Sequence, residues 1–400
     1  MNRFARRWLF LLLPSVGFAA GPTFFHDVAP ILQKHCQSCH RPGDIAPMPL
    51  ITYQDVRPWA RAIRAAVVNR KMPPWYADAC CGTFANDRSL STVEIGMILS
   101  WADNGAPMGD QFDSRPPANP PNVALRSPDV ILQMPQAFAV PAKGEVAYQR
   151  YVIPTGFKTD RWIQAAEVRP SARSVVHHAV VYIREPGETW VQGPTKADIL
   201  SVFTPGSDPD TWPAGMAKFV PAGSDLILEL HYTPSGKPAT DQTKISLQFT
   251  KAAPQKRVLT LQLNNTKLAI PPGDANYHVT TSGTMPNDAL LLGFLPHMHL
   301  RGKAFEYDRI APGGTPEPLL RINKFDFHNQ LSYKLAKPLL LKKGTRLSAT
   351  AWYDNSSNNP RNPDPAKEVH WGEQSWDEMM VGFFDVAVEP SVDKKAFFVR

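Results

Sequence analysis

The run Cys36-Gln37-Ser38-Cys39-His40 constrains the first part of this chain more than any other feature. Two thiols three positions apart and followed at once by histidine form the C-x-x-C-H pattern of covalent haem attachment. With 4 Cys and 11 His in 400 residues, composition alone gives such a run about 0.001 times per chain. The spacing has a chemical reason: both thiols form thioethers to the porphyrin edge, and the next imidazole is thereby aimed at the iron. A methionine thioether on the opposite face raises the reduction potential. Met72, in Lys71-Met72-Pro73-Pro74-Trp75, is the candidate because two prolines hold an extended loop. Met48, in Pro47-Met48-Pro49, is its competitor.

The surroundings of this motif predict a small helical domain over residues 21–112. Trp59, Ile63 and Val67 fall at i, i+4, i+8 within Asp55 to Asn69, an apolar stripe suited to core packing. Ser91-Thr92-Val93-Glu94 has the form of a capping box, and the helix it opens ends before Gly105. Leu90-Ser91, Glu94, Trp101 and Gly105-Ala106-Pro107, placed after a Met-Pro-Pro-Trp loop, make the segment resemble the monohaem cytochrome c domains of bacterial secreted proteins. Cys80-Cys81 has no place in that pattern. A vicinal disulfide and two buried thiols are both open for it, with a ligand role a lesser third.

Residues 1–20 read as a secretory leader: Arg3, Arg6 and Arg7 precede an apolar stretch from Trp8 to Leu13, and small residues near Ala19-Ala20 fit a cleavage site. The mature chain is expected to begin near Gly21 in the periplasm or outside the cell. No run reaches the ~18 apolar residues of a membrane span. The net charge of +7 is scattered, which argues against nucleic-acid binding. Residues 113–128, with Pro116, Pro117, Pro120 and Pro121, are expected to be a semi-rigid linker.

Beyond the linker no cysteine occurs, and prolines, 40 in all, punctuate short β-rich runs. These runs are Val175 to Ile183, Asp225 to Thr233, Lys244 to Thr250, Val258 to Leu263, Ala289 to Leu295, Arg346 to Tyr353 and Met379 to Val388. Such spacing predicts antiparallel sandwiches, split into 129–253 and 254–400 near Ala253-Pro254-Gln255. Histidines gather in the runs as His177-His178, His231 and His297-Met298-His299. The period of two puts His297 and His299 on one strand face, where both can hold one metal. His177 and His178 point to opposite faces of a regular strand, so joint ligation requires a bulge or a strand end. Imidazoles suit copper or zinc, and a thioether such as Met379 favours Cu(I).

These motifs follow one another as V-H177-H178, L-E-L-H231-Y, I270-P-P-G, H297-M-H299-L-R-G-K and D377-E378-M379. Over residues 145–390 the order resembles the copper type II, ascorbate-dependent monooxygenases, the family of the peptidylglycine α-hydroxylating and dopamine β-monooxygenases. The resemblance implies two packed jelly rolls with one copper each. His177, His178 and His231 would hold the electron-transfer copper, and His297, His299 and Met379 the copper where oxygen is activated; His370 has a family counterpart that is not a ligand. Where peptide-amidating enzymes carry an Arg and a Tyr that grip the substrate carboxylate, this chain has Leu295 and Phe383. Without the guanidinium fork that clamp is missing, and action on peptide C-termini is not expected. The expected function is hydroxylation of a C–H bond of a small organic substrate with O2. The chain's own haem would relay electrons from a periplasmic cytochrome, a quinol-linked donor or an ascorbate-like reductant. The alternative is a haem and copper electron-transfer or copper-binding protein without hydroxylase activity.

Overall fold

The computed structural model describes residues 21–113, 125–189 and 198–394. The leader 1–20 and the stretch 114–124 of the expected linker lie outside these residues. The described chain has a small helical segment followed by a much larger all-β part.

The helical segment packs Phe24, Leu32, Val56, Ile98 and Trp101 into one buried cluster. A π turn, Phe24–Val28, leads into the helix Ala29–His35, which places Cys36 at its C-terminal end. The helix Thr92–Asp103 starts at a capping box: Ser91 Oγ accepts from the Glu94 amide at 3.2 Å, and Glu94 Oε2 from the Ser91 amide at 2.8 Å. This satisfies donors that the first helical turn leaves free. Trp101 is fully buried and donates from its indole to the Pro107 carbonyl at 3.0 Å. The expected apolar stripe needs correction at one position. Ile63 and Val67 are buried, but Trp59 is 44 % exposed. The cause is Pro58, which converts Arg57–Trp59 into a 3-10 turn between the helices Tyr53–Val56 and Ala60–Val68 and so rotates Trp59 off the buried face. Cys80 and Cys81 form a disulfide, which settles the choice left by the sequence.

Among the described residues from Val130 onward, the chain forms sheets with one short 3-10 turn, Arg173–Val175. One four-stranded antiparallel sheet has the order Gln149–Pro154, Asp225–Tyr232, Val176–Arg184, Asp198–Phe203. Another has the order Tyr277–Thr284, Arg346–Tyr353, Gly302–Ile310, Pro316–Ile322. A larger sheet runs through both halves, because Met216 and Ala217 pair in parallel with Lys256 and Arg257. The strand Lys256–Asn264 thus serves both sides: Val258 enters the core of the first half, and Leu259, Leu261 and Leu263 enter the core of the second.

The helical segment is docked on both halves. Asp44, with its side chain only 1 % exposed, pairs with Arg41 at 2.9 Å and with Arg173 of the first half at 2.7 Å. The loop after Met72 lies along the second half: Ala77 bridges to Ile322, Phe84 to Leu335, and the Ala85 amide donates to the Lys334 carbonyl at 2.8 Å. Trp75 and Phe84 pack on Tyr333 at ring distances of 4.9 and 5.6 Å. No described helix is long and apolar enough to cross a membrane.

Candidate metal centre

The strand pairing resolves the problem posed by adjacent histidines. Val176 pairs with Tyr232 and His178 with His231, so the register shifts at His177. This bulge turns His177 toward the side of His178, as joint ligation requires. The ligand nitrogens of His177, His178 and His231 all lie within 4.8 Å of one another. The Nδ1 atoms of His177 and His178 are 3.0 Å apart, about the separation of two nitrogens bound at ~2.0 Å to one ion. Tyr148 stacks on His231 at 4.8 Å and Phe327 on His177 at 5.3 Å, fixing both rings.

His297 ends the strand Ala289–His297, and His299 follows in the turn to Gly302. Gln330 fixes the first ring: its amide NH2 donates to the Met298 and Phe327 carbonyls, both at 3.2 Å, so its oxygen must accept from His297 Nδ1 at 2.7 Å. His299 donates from Nδ1 to the Asp377 carbonyl at 3.3 Å. Both rings therefore keep a lone pair on Nε2 for a metal. Glu378, fully buried, holds the turn by accepting from the His299 amide at 2.9 Å and the Arg301 amide at 2.6 Å. Burial pushes its carboxyl up to about 8 against the pull of these amides and of Arg301. Arg301 is itself buried and donates to Asn355 Oδ1 and the Trp376 carbonyl, each at 2.8 Å.

Burial, before any neighbouring charge, pushes His177 down to about 3 and His231 and His297 to about 4, and it pushes His178 and His299 well below the usual histidine range. All five rings are thus neutral at pH 7, the state in which imidazole binds metal. His231 Nδ1 and His299 Nε2 are buried with no hydrogen-bond partner among the described residues. Orphaned nitrogens of this kind fit an absent cation, and an imidazole set with a thioether fits copper.

The two groups face each other closely, with the His178 and His297 rings 6.4 Å apart. They share a cavity of about 70 Å3 lined also by His299, Met379, Leu295 and Phe383. His370 stands apart, exposed and paired with Glu368 at 3.0 Å. Three residues that sequence reasoning did not assign belong to the centre: Gln330, Glu378 and His328, whose ring lies 5.7 Å from that of His177. Glu378 stood within a quoted motif but had no role. His328 and Gln330 carry no spacing signal, because a loop brings them in.

Residues 255–386 match the family model described as copper type II ascorbate-dependent monooxygenase, C-terminal domain. The chain is a copper-dependent oxidoreductase. The match covers the strand carrying His297, the turn with His299, and the segment with Glu378 and Met379. No curated protein matches the chain of this oxidoreductase. Solved structures similar to it include the major capsid protein P2 from bacteriophage PM2 (9% identity, 66% of this chain and 98% of that one, TM-score 0.30) and PNGF-II (10%, 65% and 66%, TM-score 0.27). At these scores they carry no argument about fold or function.

In the helical segment of the oxidoreductase, Cys36 and Cys39 form no disulfide. His40 donates from Nδ1 to the Met48 carbonyl at 3.1 Å, which keeps Nε2 available as a ligand. The Met48 side chain packs against the helical core. Met72 is 36 % exposed on the proline loop.

Proposed function

We propose that this oxidoreductase hydroxylates a C–H bond of a small organic substrate with O2, holding two coppers and drawing electrons through a haem on Cys36 and Cys39. The observation that carries this reading is the approach of the two histidine groups across one small cavity, His178 to His297 at 6.4 Å. His177, His178 and His231 would hold one copper, and His297, His299 and Met379 the other. Copper supplies one-electron chemistry and oxygen activation when bound. Each turnover takes O2, two electrons and two protons, leaving one oxygen in the C–O–H group and one in water.

The residues around the centre support this chemistry. Gln330 and the Asp377 carbonyl fix the tautomers of His297 and His299. Leu295 and Phe383 make the wall beside them apolar. Arg150 also lines this cavity, but its guanidinium is committed to Glu229 at 2.5 Å and Glu373 at 3.2 Å. No free guanidinium is left there for a peptide carboxylate, and peptide C-termini are excluded from the proposal.

A haem on the helical segment would lie close to the centre. A Cβ at Gly206 would fall 2.6 Å from Cys39 Sγ, and Thr204, two residues earlier, lines the copper cavity. Tyr76 donates to Asp326 at 3.2 Å, and the next residue, Phe327, stacks on His177. We place Met72 as the second iron ligand and the mature protein in the periplasm, with a periplasmic cytochrome, quinol-linked or ascorbate-like donor.

The test is the metal content and visible spectrum of the exported protein, with His231→Ala and Met379→Ala alongside. One haem and two coppers, with one copper lost in each variant, are expected, followed by incorporation of labelled oxygen into product. Haem without stoichiometric copper would sink the hydroxylase reading.

A further inference from the structure

Met379 is the ligand whose place depends most on its backbone. A thioether is a weak, soft ligand for copper, and three rotatable bonds separate the sulfur from the main chain. Met379 follows the bridge between Trp371 and Glu378 and precedes the strand Val381–Val388, so it lies outside both ladders. It is 5 % exposed and lines the copper cavity. Something other than strand pairing has to hold it there.

Tyr353 provides that hold. Its hydroxyl donates to the Met379 carbonyl at 2.8 Å, and the residue is fully buried. Tyr353 ends the strand Arg346–Tyr353 and pairs with Gly302, where the His299 turn closes. The next two residues grip the same turn. The Asp354 amide donates to the Arg301 carbonyl at 2.8 Å, and Asn355 Oδ1 accepts from Arg301 Nε at 2.8 Å. Asn355 is itself fixed, donating to the Pro271 and Lys367 carbonyls at 2.8 and 3.0 Å. The run Tyr353-Asp354-Asn355 thus reaches both ligand-bearing segments: the His299 turn through backbone and amide, and Met379 through the phenol. A second tyrosine of the same core gives the comparison, because the fully buried Tyr307 donates to the Phe383 carbonyl at 2.9 Å, further along the segment that starts at Met379.

We propose that Tyr353 is the positioning residue of the thioether: its hydrogen bond to the Met379 carbonyl fixes the sulfur at the second copper, in one frame with His299. The inference rests on the ligand role proposed for Met379. Tyr353→Phe removes one oxygen, keeps the ring in the core and leaves the Met379 carbonyl without this donor. The second copper then keeps its imidazoles and loses its soft ligand, and with it much of the preference for Cu(I).

The test reads the copper–sulfur signal in X-ray absorption of the full-length protein loaded with Cu(I), together with a Cu(I) titration, in the parent, Tyr353→Phe, Tyr307→Phe and Met379→Ala. The part of the signal that Met379→Ala removes belongs to its sulfur. Tyr353→Phe is expected to lose about half of that part or more and to bind the second copper about tenfold more weakly, the usual effect of removing a group that orients a ligand. The first copper should bind as in the parent. Tyr307→Phe deletes an equally buried hydroxyl, so it should lose comparable thermal stability yet keep the full signal, which separates positioning from a merely structural role. 4-Aminophenylalanine at position 353 restores a donor in the same place and should restore the signal; it decides alone if Tyr353→Phe does not fold. A full signal with unchanged affinity in Tyr353→Phe, an equal loss in Tyr307→Phe, or no signal with 4-aminophenylalanine each overturns the proposal while the ligand role of Met379 stands. A parent with no sulfur signal for Met379→Ala to remove refutes the ligand role itself, and the proposal with it.

Discussion

Replacing Glu378 by alanine tests whether a buried carboxyl group builds the second ligand group. Its two oxygens accept the amides of His299 and Arg301 at 2.9 and 2.6 Å, and its exposure is zero. Truncation leaves two buried N–H groups without acceptors, at about 1–3 kcal/mol each. The expected loss is therefore about 2–6 kcal/mol, or at least ~4 °C in Tm for a domain of this size. Because the same amides set the turn that aims His299 Nε2, copper affinity at the second group should fall about 10–100-fold. The first group, on other strands, should keep its copper. Thermal unfolding of copper-free protein and a copper titration read the two effects separately. If Glu378→Ala unfolds within ~0.5 kcal/mol of the parent and binds two coppers with unchanged affinity, the assignment of Glu378 as the anchor of this turn is wrong.

Two further outcomes follow from the helical segment. Gly206 has φ +77, and a Cβ there would meet Cys39 Sγ at 2.6 Å and Arg88 Nη1 at 2.9 Å, so Gly206→Leu should pry the segment from the first β half; faster proteolysis within residues 24–113 with unchanged copper content is the expected reading. Burial pushes the Glu94 carboxyl up, but the Ser91 amide and hydroxyl and the His35 imidazole overcome this and hold it at about 2. A carboxyl held below its ordinary 4.5 stabilises the fold above that value and loses this as pH falls toward 2. The stability gap between parent and Glu94→Gln, about 1 kcal/mol for a cap, should be full at pH 7 and closed near pH 2; a gap independent of pH would refute the assignment.

The strands were legible because alternation and proline or glycine punctuation are local signals. Arg346–Tyr353 has the bounds that its sequence suggests, and Val176–Arg184 and Asp225–Tyr232 differ from theirs by a residue. What was not legible depends on pairing. Whether His177 and His178 share a side is decided by the shift against Tyr232 and His231, a property of two strands that neither sequence carries alone. Trp59 fits a helical stripe by spacing, and only the break at Pro58 turns it outward. Gln330 and His328 reach the centre from a loop between strands, where no periodicity marks them.

The closeness of the two histidine groups has a structural cause away from the histidines. The sheet bearing His177 and His178 ends at Asp198–Phe203, and this edge is fastened to the strand that both β halves share. Lys218, 1 % exposed, donates to the Ile199 carbonyl and to Thr260, while the Thr260 amide donates to Asp198 at 3.3 Å. A buried ammonium costs several kcal/mol unless all its donors are met, so the fastening forms completely or not at all. His297 hangs from the same sheet, through the pairing of Ala289–His297 with Val381–Val388 and of that strand with Lys256–Asn264. Both ligand groups are thus referred to one rigid strand, and their separation is set by sheet geometry. Under the proposed function, electron transfer between the two groups would need no hinge motion.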